Sequence, residues 1–240
     1  MTYIILAAGA GKKLHPLTFK TPKSLYKLDK DTTVLQRMIK LIREYDPSAE
    51  IVVASGFMHD TLKKEIENEN VILVRNPFYS ITNSISSLWF ARDYLLRNNV
   101  TIIDGDIVTS EKLVKEIICS ETKRPYVAID KSLANGDKYY VQIQGDKVCV
   151  MSKQLSNYYG QYSCIVKLDG ISSRLLFETI DNMINDEMYD LYFEDALVSM
   201  IFSSDFELYY EDISAYQHVE IDTVDDLLVA KTIQKTNNGD

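Results

Sequence analysis

Short apolar runs of strand length alternate, along the first half of the chain, with segments whose apolar residues recur at helical spacing. Tyr3 to Ala7 is rich in β-branched and aromatic residues and breaks into Ala8-Gly9-Ala10-Gly11. Val34, Leu35, Met38, Ile39, Leu41 and Ile42 fall on one face of a helix predicted over Thr33 to Tyr45. The pattern then predicts strand Glu50 to Ala54, a helix capped by Asp60 and running to about Asn68, and strand Val71 to Arg75. A helix from Ser84 to Arg97, strand Val100 to Ile103, a helix from the cap Ser110 through Cys119 and strand Tyr126 to Ile129 follow. Such alternation implies an α/β, three-layer, Rossmann-like fold with a mostly parallel, mixed central sheet. Ligands then gather at the carboxyl ends of the strands.

The second half has a different rhythm. Tyr139 to Gln144 and Lys147 to Met151 read as a hairpin turned at Gly145-Asp146, and Tyr162 to Leu168 as a further strand. Helices are expected over Ser172 to Ile184 and Tyr192 to Phe202, with a strand near Phe206 to Tyr210. Thr223 is placed to cap a last helix reaching about Lys235, with Asp225 and Asp226 in its first turn. We expect a single domain of 240 residues. Its first half spans about residues 1–130, and about 131–240 extend the sheet and form a small lid.

Composition removes several classes of function. A formal net charge of −9 argues against a nucleic-acid partner, which calls for a basic face. An anionic ligand would need a local cluster of cations against the overall field. Cys119, Cys149 and Cys164 share no metal-ligand spacing, and His15, His59 and His218 are scattered, so zinc, a disulfide framework and a histidine-based triad lack support. No signal segment and no apolar run of about 20 residues is present, so a cytoplasmic protein without membrane insertion is expected.

The chemistry concentrates between Leu6 and Leu25. A strand running into a glycine turn followed by Lys12, Lys13, Lys20 and Lys23 offers amides and positive charge to a phosphate chain. Two familiar phosphate motifs fail here: Leu6 and Lys13 stand where a P-loop needs glycine and Ser or Thr, and Leu14 replaces the third glycine of a dinucleotide fingerprint. The stretch does match L-A-A-G-x-G-x-[RK]-L-x-P-L-T-x-x-x-P-K-x-L. In this it resembles the nucleotidyltransferases that activate sugar phosphates and phosphocholine. Asn76-Pro77-Phe78-Tyr79, Thr82 to Trp89, Asp190 to Asp195 and Val219 to Asp222 extend the resemblance along the chain, toward bacterial phosphocholine cytidylyltransferases.

That resemblance implies a magnesium-dependent enzyme that transfers CMP from CTP to a small phosphorylated acceptor, releasing pyrophosphate. The acceptor would be of phosphocholine, phosphoglutamine or aminoalkylphosphonate type. A sugar-1-phosphate nucleotidyltransferase and a catalytically inactive nucleotide-binding regulatory subunit are the alternatives. Products of such enzymes suggest cell-surface polysaccharide biosynthesis, and a homodimer is compatible with the chain.

By the same resemblance, Lys13 and Lys23 are the catalytic cations. Leu6, Ala7, Ala8, Gly9, Ala10, Gly11 and Lys12, with Gly56, Asn83, Ser84, Ser87 and Asp104, would bind the nucleotide. Asp106 and Asp222 would hold Mg2+. Many relatives carry Arg at Lys13, and lysine keeps the charge without the planar fork. An acceptor already anionic at neutral pH needs no general base, which accounts for the lack of an activated Ser, Cys or His. For the acceptor we single out Lys138, Tyr140, Tyr189, Asp190, Tyr192, Glu194, Asp195 and Glu220. Aromatic rings and carboxylates there would suit a choline cation, whereas Lys138 would repel it and favour an acceptor bearing a further anionic group.

Overall fold

The computed structural model describes residues 1–132, 138–203 and 206–237. Its first half is built on β1 (Thr2–Ala7), α1 (Val34–Tyr45), β2 (Glu50–Ser55), α2 (His59–Glu65), β3 (Ile72–Arg75), α3 (Ser84–Phe90), β4 (Asn99–Asp104) and β5 (Ile107–Thr109). Then come α4 (Glu111–Leu113), which runs on into a π-helical turn over Val114–Ile118, and β6 (Tyr126–Asp130). The second half holds β7 (Tyr140–Gln144), β8 (Lys147–Ser152), β9 (Gly160–Asp169), α5 (Gly170–Asn185), α6 (Phe193–Ser203), β10 (Leu208–Asp212), β11 (His218–Glu220) and α7 (Val224–Asn237).

Nine strands form one sheet in the order β3-β2-β1-β4-β9-β6-β10-β8-β7, so it runs through both halves. Parallel pairing joins β3, β2, β1 and β4, while β9 lies antiparallel between β4 and β6. Only β9 and β8 oppose the common direction, which makes the sheet mixed and mostly parallel. The start of β9, at Gly160 and Gln161, also pairs with β7, which curls the second half of the sheet back onto itself.

Side-chain alternation explains the layers. Tyr3, Ile5, Ile51, Val53 and Ile103 pack with Leu35, Met38, Ile39 and Ile42 of α1 on one face. Ile4, Val52 and Ile102 pack on the other with Ile85 and Leu88 of α3, Leu176 and Ile180 of α5 and Phe193, Ala196 and Leu197 of α6. A smaller cluster joins Leu14, Tyr26, Leu28 and Val34 to Val108, Ile221, Ala230 and Ile233, seating the glycine-rich stretch against α7.

Two predicted helices end differently. α2 begins at His59 behind Met58, whose left-handed backbone (φ 50°) supplies no side-chain cap; Asp60 sits inside the first turn instead, and the helix stops at Glu65. The helix expected over Ser84 to Arg97 divides at Ala91 into α3 and a 3-10 turn, Arg92–Leu96. The Ala91 amide donates to the Leu88 carbonyl (3.0 Å) and the Tyr94 amide to the Ala91 carbonyl (3.1 Å), three-residue bonds that tighten the chain there. No helix among the described residues is long and apolar enough to cross a membrane.

Candidate active site

The glycine-rich stretch lies at the carboxyl end of β1 and borders a cleft of about 360 Å³. Gly11 adopts φ 59°, and a Cβ there would stand 2.8 Å from Thr18 Cγ2 and 2.9 Å from Lys23 Cγ. Its carbonyl accepts from the Leu14 amide (3.0 Å) and the Thr18 hydroxyl (2.9 Å), closing the loop beside Lys23. Gly56 lies behind the loop: a Cβ there would come within 2.9 Å of the Ala8 carbonyl oxygen and 2.5 Å of Tyr79 Cβ. Its place is the support of the loop, outside the cleft wall.

Lys23 opens a 3-10 turn, Lys23–Leu25, directly after Pro22. Its ammonium lies 3.3 Å from Asp106 Oδ2 and 2.5 Å from Asp222 Oδ1. Lys13 Nζ is 3.9 Å from Asp222 Oδ2. Asp106 and Asp222, far apart in sequence, meet because β11 pairs antiparallel with β5, Glu220 opposite Ile107, and the Ile221 amide donates to the Asp106 carbonyl. Asp226 then accepts from the amides of Asp222 (3.0 Å) and Thr223 (2.7 Å), fixing the start of α7.

Asp106, Glu220 and Asp222 each offer an oxygen to one point, the three atoms lying within 4.8 Å of one another. Three hard oxygen donors fit a divalent cation such as magnesium, whose remaining positions water or phosphate oxygens fill. Glu220, placed by sequence among the acceptor residues, thus belongs to this acidic group. Lys138, placed there too, pairs with Glu220 and lies 2.6 Å from Asp222 Oδ2. Its charge compensates these carboxylates, so it cannot be counted as a free anion receptor for the acceptor.

The electrostatics follow. Burial pushes Asp106 up, and neighbouring Glu220 adds to this against Lys23 and Lys138, leaving it at about 6. Burial, then Glu194 and Asp106, push Asp104 well above the usual carboxylate range. Burial acts on Asp222 in the same sense, yet hydrogen bonds from Lys138 and Lys23 hold it well below that range. The site therefore collects negative charge that lysines offset in part, the setting in which a cation binds.

Leu6, Ala7, Ala8, Gly9, Gly11, Lys12, Lys13 and Lys23 line the cleft, as do Asn83, Ser84, Ser87, Asp104 and Asp106. Ala10 does not border it. Asn83 Oδ1 accepts from the Ser84 amide, and the Ser84 hydroxyl from the Phe193 amide. Buried Asn76 donates to Thr82 and Ser87 and accepts from the Phe78 amide, organising the loop ahead of α3. Of the acceptor candidates, Lys138, Tyr192, Glu194 and Glu220 reach the cleft. Tyr140 instead stacks on Tyr158, the Tyr189 carbonyl supports the start of α3, and Asp190 lies on the exposed turn before α6. Asp195 accepts from the Tyr139 hydroxyl (2.7 Å) and the Tyr192 amide (3.0 Å), which makes it a support behind the wall.

Tyr79, Thr82, Tyr139, Lys153, Tyr162 and Cys164 also line the cleft, and sequence reasoning passed over them. The β6–β9 pairing shifts register between Val127 and Ile129, and Cys164 adopts φ 61° opposite this irregularity. Its thiol donates to Glu220 Oε2 (2.8 Å). Such bulges re-aim side chains beside sites, and periodicity carries no sign of them.

The profile of the Nucleotidyl transferase family matches residues 2–144, and the chain belongs to that family. It is 25% identical over 240 residues to the choline-phosphate cytidylyltransferase of Streptococcus pneumoniae, covering 99% of this chain and 100% of the relative. It is 29% identical over 138 residues to the CTP:phosphoglutamine cytidylyltransferase of Campylobacter jejuni, covering 55% and 53%. Among solved structures, the CTP:phosphocholine cytidylyltransferase of Streptococcus pneumoniae shares the fold, with a TM-score of 0.80 at 22% identity over 97% of this chain and 98% of that one.

Proposed function

We propose that the protein is a magnesium-dependent cytidylyltransferase that joins CMP from CTP to a small phosphorylated or phosphonylated acceptor, releasing pyrophosphate. The observation that carries this reading is Lys23 set between Asp106 and Asp222 at the mouth of the glycine-rich loop. The relatives named above, which use CTP, support the choice of nucleotide.

In this reading the loop amides and Lys12 and Lys13 hold the triphosphate, while Asn83, Ser84 and Ser87 border the nucleobase. Asp106 and Asp222, joined by Glu220, hold the magnesium ion, which when bound neutralises phosphate charge and aligns the displacement. Lys23 sits where the α-phosphate and the incoming acceptor oxygen meet, and its positive charge lowers the repulsion between two anions. Ammonium character is secured there: burial opposes it, but Asp106 and Asp222 raise the Lys23 pKa above its ordinary value. Lys138 balances Glu220 and Asp222. No proton needs to leave the acceptor, so the carboxylates beside Lys23 are not called on as bases.

The test is pyrophosphate release with magnesium across the four common NTPs, against phosphocholine, phosphoglutamine, 2-aminoethylphosphonate and a sugar 1-phosphate. Release with CTP and one of the first three is expected, and Lys23→Met should lower it at least 1,000-fold. Release only with UTP or dTTP and the sugar phosphate would assign the chain to sugar activation, and nucleotide binding without any release would favour a regulatory protein.

A further inference from the structure

Two buried polar atoms in the cleft wall are left unpaired, and they share one neighbourhood. Tyr162, on β9, is 4% exposed, and Glu194, in the first turn of α6, is 6% exposed. Both line the cleft, and neither the Tyr162 hydroxyl nor Glu194 Oε2 has a hydrogen-bond partner among the described residues. Leaving such an atom unpaired costs about 1–3 kcal/mol, so a pair of them at one ligand cleft calls for a partner from outside the chain. Their neighbours do not supply one: the Tyr139 hydroxyl is turned to Asp195, and the Phe193 amide to Ser84.

The aromatic corner beside them already carries a cation. Tyr139 and Tyr192 meet edge to face, 6.1 Å between centroids, and the Lys153 ammonium lies 3.8 Å from the Tyr192 centroid. A quaternary ammonium seeks such a corner for its ring faces, and here it would compete with Lys153.

We propose that Glu194 and Tyr162 form the head-group end of the acceptor subsite and select a primary ammonium over a quaternary one. The inference rests on the cytidylyltransferase reading above. A primary ammonium has three N–H donors and completes both orphaned atoms, and its positive charge favours release of the proton that buried Glu194 otherwise keeps. A trimethylammonium has no donor and would bury both atoms still unpaired. Sites built to bond an N–H or O–H reject the analogue lacking it far more strongly than an apolar pocket rejects an added methyl group. The acceptor class is thus a short phosphate or phosphonate with a primary amine at its far end. Its anionic end faces Lys23, and its amine faces Glu194.

The test uses the full chain with CTP and magnesium and a graded series: phosphoethanolamine, its N-methyl and N,N-dimethyl forms, and phosphocholine. 2-Aminoethylphosphonate and a sugar 1-phosphate run alongside. We expect kcat/KM for pyrophosphate release to fall with each N–H lost, at least 100-fold from end to end. Glu194→Gln and Tyr162→Phe, both nearly isosteric, should each cut the phosphoethanolamine rate at least tenfold and flatten the series, with KM for CTP within twofold. Phosphocholine matching or exceeding phosphoethanolamine would overturn the selection and leave cytidylyl transfer standing. A series as steep in folded variants as in the native chain would overturn the assignment to these two residues. Release from the sugar 1-phosphate alone would overturn this inference while cytidylyl transfer stands, and no release from any acceptor would overturn the cytidylyltransferase reading and this inference with it.

Discussion

Glu194 lies where charge is hardest to keep. Burial lifts its pKa to about 8, and Asp195 and Glu220 add to the lift against backbone hydrogen bonding and Lys153. Between its ordinary value and about 8 the folded chain holds a proton that the unfolded chain has released. Stability contributed by this residue is therefore present at low pH and lost as pH rises through that window. Glu194→Gln cannot lose the proton, so its stability relative to the native chain should rise by about 3 kcal/mol from pH 5 to pH 8. Urea unfolding of both proteins at the two pH values measures this; an unchanged difference would place Glu194 in contact with water. The sequence showed Glu194 as one acid among several in Asp190 to Asp195. Its burial, and the support role of neighbouring Asp195, depend on α6 packing against α3, α5 and β8, and no local pattern encodes that packing.

Among the elements, α1 shows how a local signal serves the site from a distance. Thr33 and Gln36 form a reciprocal capping box, and the Val34 amide donates to the Tyr26 carbonyl at the end of the Lys23–Leu25 turn. Thr33→Ala should cost about 1 kcal/mol. For a chain of this size that is a fall of about 2–4 °C in Tm by scanning calorimetry. Turnover at 25 °C should stay within twofold, since the turn keeps Pro22 and its other contacts. Elements of this kind were legible because their information is local: the Thr33 cap, the apolar stripe of α1, the Gly145-Asp146 turn of the β7–β8 hairpin. The bulge that brings Cys164 to Glu220 was not, because it arises where β9 must match β4 on one side and β6 on the other. The π-helical turn after α4 is likewise set by tertiary contact: Lys167, buried on β9, donates to the Ile117 carbonyl at its end.

At the scale of the whole molecule, the acidic group is a clasp between the two halves of the chain, Asp106 from one and Glu220 and Asp222 from the other. A divalent ion bound there would stabilise the fold by linkage, about 2.7 kcal/mol at a hundredfold excess over its dissociation constant. We expect saturating magnesium to raise Tm by about 5–10 °C over chelator-treated protein, and Asp222→Asn to abolish the difference. An equal rise in that variant would place the ion elsewhere. The β5–β11 pairing that makes the clasp has a further consequence for a chain still being made. The glycine-rich loop, Lys23 and Asp106 leave the ribosome first, and Glu220 and Asp222 follow more than a hundred residues later, a delay on the order of ten seconds. Until then the nascent chain carries the glycine-rich loop without two of the three carboxylates of the acidic group, so the clasp closes only after β11 has been made.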